Sequence, residues 1–302
     1  MIGGFALFDG ILYFLIFLSL GYTLIRSRAL PEGTGAMLSS LLMTLCFPAM
    51  ILKSFLTVDV DSLLHTGLPT VIVTVLFSVL PAGILALRKK PLPHGQLFPF
   101  ICGIGNVSFV CIPLMDLFLT DAQMFPVYLH VAVQDLLIWG FFHPAFAGRT
   151  GKLQWKKLLT EPCLVAVAIG LVFALTGWTL PTWVQSPIDA LDACVSPLAL
   201  VFLGMTIGQY GLGSWWGKKE ALLYTIYKVL LYPAVVFLCL LPFFSLWQGG
   251  LLAMLFASPA PVAGVVWMQR YTKDPSPAIH CLIPSTLLYF ALYAPILLFL
   301  TK

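Results

Sequence analysis

Charge is what this sequence has least of. Only 9% of its 302 residues are Asp, Glu, Lys or Arg, whereas a soluble domain carries about a quarter. A chain so poor in charge cannot cover a globular surface in water, which excludes a cytosolic enzyme and a nucleic-acid binder. The seven cysteines, Cys46, Cys102, Cys111, Cys163, Cys194, Cys239 and Cys281, form no CxxC pair and no cluster with histidine. That excludes a secreted disulfide scaffold, argues against a metal or redox cofactor, and leaves them as helix-packing thiols. No GxxxxGK(S/T) string occurs, so ATP does not drive the protein directly. The N-terminus lacks the basic stretch of a cleaved signal. Its apolar run from Phe5 to Ile25 reads as a first membrane span, long enough at about 20 residues to cross hydrocarbon.

What is present is apolar: 60% of the residues are hydrophobic and the mean hydropathy is +0.99. Apolar stretches separated by polar or Pro/Gly punctuation run over 5–26, 35–56, 65–87, 96–119, 124–147, 162–180, 187–212, 219–243, 248–269 and 277–300. The expectation is an all-α polytopic membrane protein of ten spans, numbered here 1 to 10. The runs are continuous and do not alternate, which excludes a β-barrel. The longest connection is RTGKLQWKKLLTE at 149–161, a linker between two five-helix halves, 1–148 and 162–302.

Of the sixteen basic residues, all but Lys53, Lys228 and Lys302 fall in the odd-numbered connections. These are Arg26 and Arg28, Arg88 to Lys90, Arg149 to Lys157, Lys218 and Lys219, and Arg270 and Lys273. By the positive-inside rule the odd connections are cytoplasmic and both termini external, in a multi-pass protein of the plasma (inner) membrane. Asp59, Asp61, Asp116, Asp121, Asp189 and Asp192 fall on the other side.

Five spans per half is an odd number, so two halves sharing a fold must insert with opposite orientation, as in the inverted repeats of secondary carriers. MTLCFPAMIL (43–52, with Pro48) in span 2 parallels DACVSPLALV (192–201) in span 7. Span 4, GQLFPFICGIGNVSFVCIPL, parallels span 9, GGLLAMLFASPAPVAGVVWM. Both are broken near their middle: span 4 by Gly103, Gly105, Asn106, Val107, Ser108 and Pro113, span 9 by Ser258, Pro259, Ala260, Pro261 and Gly264. Proline removes a donor and clashes with the preceding turn, and backbone groups freed in lipid cost several kcal/mol each unless protein, water or a ligand satisfies them. One such break also occurs as an ordinary proline kink; two at corresponding positions point to a binding site. If the breaks cross, each second half-helix aims its free N–H groups, worth roughly half a positive charge, at one small volume. The natural ligand is a small organic anion. Asn106 offers donor and acceptor, and Ser108 and Ser258 offer hydroxyls.

GYTLIRSRALPEGTGAMLSSLLMTLCFPAMILKSF (21–55), GNVSFVCIPL (105–114), SPLALVFLGMTIG (196–208) and SPAPVAGVVWMQRYTKD (258–274) resemble the auxin efflux carrier family. That family includes bacterial permeases of the malate or malonate type and the plant PIN-formed carriers. The resemblance spans nearly the whole chain, with GN-x-x-F-x-x-(I/L)-P-L as its most specific part. It implies a fold related to bile-acid sodium symporters, with a scaffold of spans 1, 2, 6 and 7. A transport domain of spans 3–5 and 8–10 would move in elevator fashion, and ligand would bind where spans 4 and 9 cross. Gly105 and Asn106 match the family pattern, whereas span 9 has Ser258-Pro259-Ala260-Pro261 where the plant carriers place asparagine beside proline.

Asp135 lies about 20 Å along span 5 from Gly148, within the membrane, and is a functional candidate by its expense there. Gln134 and His130 could share a proton or ion path with it. Lys228, about 13 Å into span 8 from Lys219, either pairs with Asp135 or snorkels to the surface. Asp9, His65 and His94 read as interfacial or solvated, and His143 and His280 as packing residues. The step from Gly204 to Gly208 permits close helix approach, within the scaffold or at a homodimer seam.

The first reading is therefore a secondary carrier for a small carboxylate such as malate, malonate or an auxin-like weak acid, working by alternating access. Only Asn106, Gln134 and Asp135 offer the acidic and amide groups that sodium sites of the related fold gather. Protons or facilitated exit fit better than sodium. The alternative is a sensor that binds the same anion without moving it. An enzyme is disfavoured, because neither HExxH nor GxSxG nor a pair of intramembrane carboxylates occurs.

Overall fold

The computed structural model describes residues 2–31, 33–56, 58–87, 97–146, 160–211, 213 and 215–300. Arg88, Lys89, Lys90, Arg149, Lys152, Lys156 and Lys157, which weigh heavily in the expected orientation, lie outside the described residues, as do Lys302, His94 and residues 149–159 of the linker. Among the described residues the chain forms helices and no strands. In chain order these are α1 (Ile2–Arg26), α2 (Thr34–Leu56), α3 (Val60–Leu85), α4 (Leu97–Gly103), α5 (Val107–Met115) and α6 (Ala122–Phe146). After them come α7 (Pro162–Thr176), α8 (Thr182–Tyr210), α9 (Lys219–Leu240), α10 (Leu246–Phe256), α11 (Val262–Tyr271) and α12 (Ser276–Leu300).

Six of these, α2, α3, α6, α8, α9 and α12, are long and apolar enough to cross a bilayer, and the pair α4 and α5, bent by 46°, is a seventh candidate span. Burial is inverted relative to a soluble protein. Ile16, Leu76, Ile84, Val172, Leu175 and Leu238 face outward, while Asn106, His130, Gln134, Lys228, Ser258 and Ser285 are buried. Such a surface is stable in lipid and not in water, and the chain is a multi-pass membrane protein.

Local chemistry sets the helix limits. α3 starts at Val60, earlier than the expected 65, because the Asp59 carboxylate accepts the Ser62 N–H at 2.9 Å and caps it. α7 stops at Thr176, short of 180, because Gly177 turns left-handed at φ 67. α8 starts at Thr182 directly after Pro181, so Pro187 lies inside the helix and not at its beginning.

Prolines also leave a regular imprint inside the helices. Wide π-helical turns occur at Leu42–Cys46, Leu63–Gly67, Val107–Cys111, Ile138–Phe142 and Tyr227–Leu231. Each is followed two residues later by proline: Pro48, Pro69, Pro113, Pro144 and Pro233. A proline cannot donate to the carbonyl one turn back and its ring collides with that carbonyl. Widening the preceding turn moves the carbonyl aside and lets the helix continue.

Tight crossings fix the helices laterally. A Cβ on Gly21 of α1 would lie 2.0 Å from the Val201 carbonyl oxygen, and one on Gly204 of α8 would lie 2.0 Å from that of Leu18. Only glycine lets these two backbones touch, so the Gly204 step is spent within the chain, against α1. Lys53 of α2 bonds Asp192 of α8 at 2.7 Å and approaches Asp189 at 3.7 Å. Gly170 of α7 receives the Phe55 side chain of α2. Thus α1 packs on α8, and α2 on α7 and α8, while α3 packs on α4 and α6, α9 on α12 and α10, and α11 on α12 and α4. The two groups meet along α2 and α6, through Phe55 and Phe125 at 5.4 Å, and along α5 and α8, through Phe109 and Phe202 at 4.7 Å.

Candidate functional site

The interruption between α4 and α5 spans Ile104, Gly105 and Asn106; that between α10 and α11 spans Ala257 to Pro261. The two touch. The Asn106 N–H donates to the Pro259 carbonyl at 2.9 Å. A Cβ on Gly105 would fall 1.5 Å from Ser258 Oγ, so glycine is the residue that admits the second segment at this point. All of Ile104 to Val107 and Ser258 to Pro261 are buried.

Several backbone groups freed by the breaks are satisfied, one locally and the others from neighbouring helices. At the end of α4 the Phe100 carbonyl accepts from Ile104 N–H at 2.9 Å, the Ile101 carbonyl from Tyr224 OH at 3.0 Å, and the Cys102 carbonyl from Lys228 Nζ at 3.3 Å. Beside α11 the Ala260 N–H donates to Ser285 Oγ at 3.2 Å, and Ser285 Oγ donates in turn to the Cys281 carbonyl at 2.6 Å. The first N–H groups of α5 and α11 have no acceptor within their own helix, by the geometry of any helix start.

Around this junction the buried Asn106 Nδ2 and His130 Nε2 lack a hydrogen-bond partner, and Ser258 Oγ and Tyr289 OH have only the Cys111 thiol; Gln134 Nε2, one turn along α6 from His130, is also buried without a partner. Asn106 is 4% exposed and Ser258 0%. Buried donors are normally paired, and leaving one unpaired costs about 1–3 kcal/mol, so a cluster of them marks a place where a polar guest would be stabilised. The Cys111 thiol faces Ser258 and Tyr289 on one side of it.

The structure thus brings Gly105, Asn106, Val107, Ser258, Pro259, Ala260 and Pro261 together. Ser108 is half-buried in the first turn of α5. Pro48 is half-buried on α2 next to Phe47, whose ring meets Phe109 of α5 at 5.3 Å. His130 Nδ1 and Thr74 Oγ1 share a hydrogen bond of 2.8 Å, and the imidazole stands edge-on to Phe256 at 5.0 Å.

The expected partnership of Lys228 is corrected. Its side chain is wholly buried and held at the Cys102 carbonyl, so it neither snorkels nor pairs with Asp135. Asp135 is half-buried on the far side of α6, against Cys163 and Glu161 at the start of α7. Sequence reading passed over Thr74, Ser285, Tyr224 and Tyr289. For Ser285 a signal existed: it follows Pro284 inside an apolar run, as Ser258 precedes Pro259.

A cavity of about 170 Å³ opens at the end of the bundle where the N-terminal parts of α3, α6 and α10 gather. Its wall includes His65, Thr66, Gln123, Phe244, Trp247 and Gln248, and its floor Thr70, Pro126 and Leu252. Thr74, His130 and Phe256 come one turn deeper on the same three helices, so this layer separates the cavity from the crossover.

A family model described as membrane transport protein matches residues 7–155 and, a second time, residues 149–298. No curated protein matches the chain.

Proposed function

The chain belongs to the membrane transport protein family, the auxin efflux carriers, and from that premise we propose that it is a secondary carrier that moves a small organic anion by alternating access. The observation that carries this reading is the direct bond between the two helix breaks, with Asn106 Nδ2 left unpartnered beside it and Ser258 Oγ held only by the Cys111 thiol. A carboxylate placed there would accept from the Asn106 amide, the Ser258 hydroxyl and the amino ends of α5 and α11. Each helix end contributes roughly half a positive charge, and buried surroundings make both count for more than they would in water.

Ten spans arranged as a five-plus-five inverted repeat fit the double family match and the paired breaks. On this reading α1, α2, α7 and α8 form the scaffold, and α3 to α6 with α9 to α12 form the moving part. The Phe55–Phe125 and Phe109–Phe202 contacts then lie on the sliding seam. The cavity above Thr74 and His130 is the vestibule on the face the positive-inside rule makes external, closed from the crossover in this conformation.

The test is uptake into proteoliposomes, measured with acetate, malonate, malate and indole-3-acetate. At least one should accumulate against a pre-loaded unlabelled pool, and Asn106→Ala should lower its affinity about tenfold or more. Wild-type protein that binds one of these anions without translocating it, or an Asn106→Ala variant that binds as tightly as wild type, removes this reading.

A further inference from the structure

Among the described residues Lys228 is the one Lys, Arg, Asp or Glu side chain that is fully buried. It sits in the π-helical turn Tyr227–Leu231 of α9 with no exposed surface, and its ammonium reaches the Cys102 carbonyl at 3.3 Å. Cys102 is the penultimate residue of α4, where the chain leaves the helix and the last carbonyls lose their intrahelical donors. The ammonium also lies 5.6 Å from the centre of the Tyr232 ring, whose hydroxyl is anchored to the Phe77 carbonyl. Among the described residues no carboxylate pairs with it. The ion pairs found there join Lys53 to Asp189 and Asp192, and His65 to Asp61. The titratable groups that face it, Cys102, Cys111 and His130, flank the crossover.

A single charge buried without a counter-charge is normally selected against. Here two partial compensations exist. One is the carboxyl end of α4, whose dipole carries about half a negative charge. The other would be a carboxylate seated at the crossover, which the unpaired Asn106 Nδ2 beside it favours. In carriers built from broken helices, the carboxyl end of a half-helix is where a coupling sodium ion is coordinated. In this chain a covalently tethered ammonium stands at such an end.

Resting on the reading of the crossover as a carboxylate site, we infer that Lys228 is the built-in cation of that site. It neutralises the carboxyl end of α4 and supplies the counter-charge for the carboxylate, so binding needs no sodium. Lys228 acts through the field and through the seat of α4; it is a positioning residue.

The test uses purified full-length protein and the panel acetate, malonate, malate and indole-3-acetate, each compared with its amide. Binding is measured in sodium medium and in medium where N-methylglucamine replaces sodium. Wild type should bind at least one carboxylate equally in both media and prefer it to its amide. Lys228→Met should lower carboxylate affinity about tenfold or more and erase the preference over the amide, while Lys228→Arg should keep that preference. A structural role alone would weaken carboxylate and amide together. The inference is overturned if Lys228→Met keeps the preference, or if wild type gains about tenfold in affinity on adding sodium. The second outcome needs no variant and decides the matter even if Lys228→Met does not fold. If wild type binds no member of the panel in either medium, the carboxylate site itself is wrong and this inference falls with it.

Discussion

Gly105→Ala is the substitution whose consequence can be worked most completely from the geometry. The new methyl would stand 2.7 Å from the Ser258 Cβ and 1.5 Å from its Oγ. Rotating the hydroxyl away removes the second conflict and leaves the first. Ordinary carbon contact is about 3.5–4.0 Å, so the two breaks must part by about 1 Å. A separation of that size stretches the 2.9 Å bond from Asn106 N–H to the Pro259 carbonyl beyond useful range. Overpacking of a filled site costs about 1–3 kcal/mol and the lost bond about another 1 kcal/mol. The total corresponds to roughly a 30-fold or greater loss in carboxylate affinity if the closed crossover is the binding form.

The assay is a double-mutant cycle on anion binding with Ser258→Gly as the second change. Ser258→Gly alone removes a donor and weakens binding. Combined with Gly105→Ala it also removes the atoms in conflict, so the double variant should be better than the sum of the singles by about 2 kcal/mol. Wild-type affinity in Gly105→Ala, or strictly additive losses in the cycle, would show that the two breaks do not meet as described.

Asn106→Ala removes a buried amide nitrogen that has no partner within the protein, so its melting temperature should equal or exceed that of wild type while the stabilisation given by carboxylate disappears. Thermal-shift measurement with and without malonate checks both. Gly204→Ala places a methyl 2.0 Å from the Leu18 carbonyl and should force α1 from α8, lowering stability by about 1–3 kcal/mol while the folded fraction still binds anion. Denaturation in mild detergent measures it. Lys53→Met unties α2 from α8 at a partly exposed pair and should cost no more than about 1 kcal/mol, a difference that shrinks in high salt. A larger loss would mean that the pair does more than join two helix ends.

The apolar runs located the helices because a span must be nearly unbroken in lipid, and the two interruptions stood out because glycine and proline there leave backbone groups that lipid cannot satisfy. The tenancy of the junction was half legible. Asn106 is the only asparagine in the chain, and it lies beside Gly105 in the middle of an apolar segment. Lys228 was legible as expensive but not as to its partner, because the carbonyl it reaches belongs to a helix end 126 residues away and a carbonyl has no signature in sequence. Ser285 was missed because an apolar helix hides one hydroxyl among its packing residues. The π-helical turns could have been placed from the prolines that follow them, although Pro81, Pro126 and Pro284 show that proline alone does not require one.

The most direct test of a carboxylate held by the interrupted helices uses that single asparagine. Protein labelled with nitrogen-15 only at asparagine side chains gives one amide signal, that of Asn106 Nδ2. Solid-state dipolar recoupling in lipid, with malonate carrying carbon-13 in its carboxyl groups, should show a nitrogen-to-carbon distance of about 3.5–4 Å, as a hydrogen-bonded amide and carboxylate require. Malonate that is bound at saturation, yet shows no coupling to this nitrogen, would place the anion elsewhere and contradict the account.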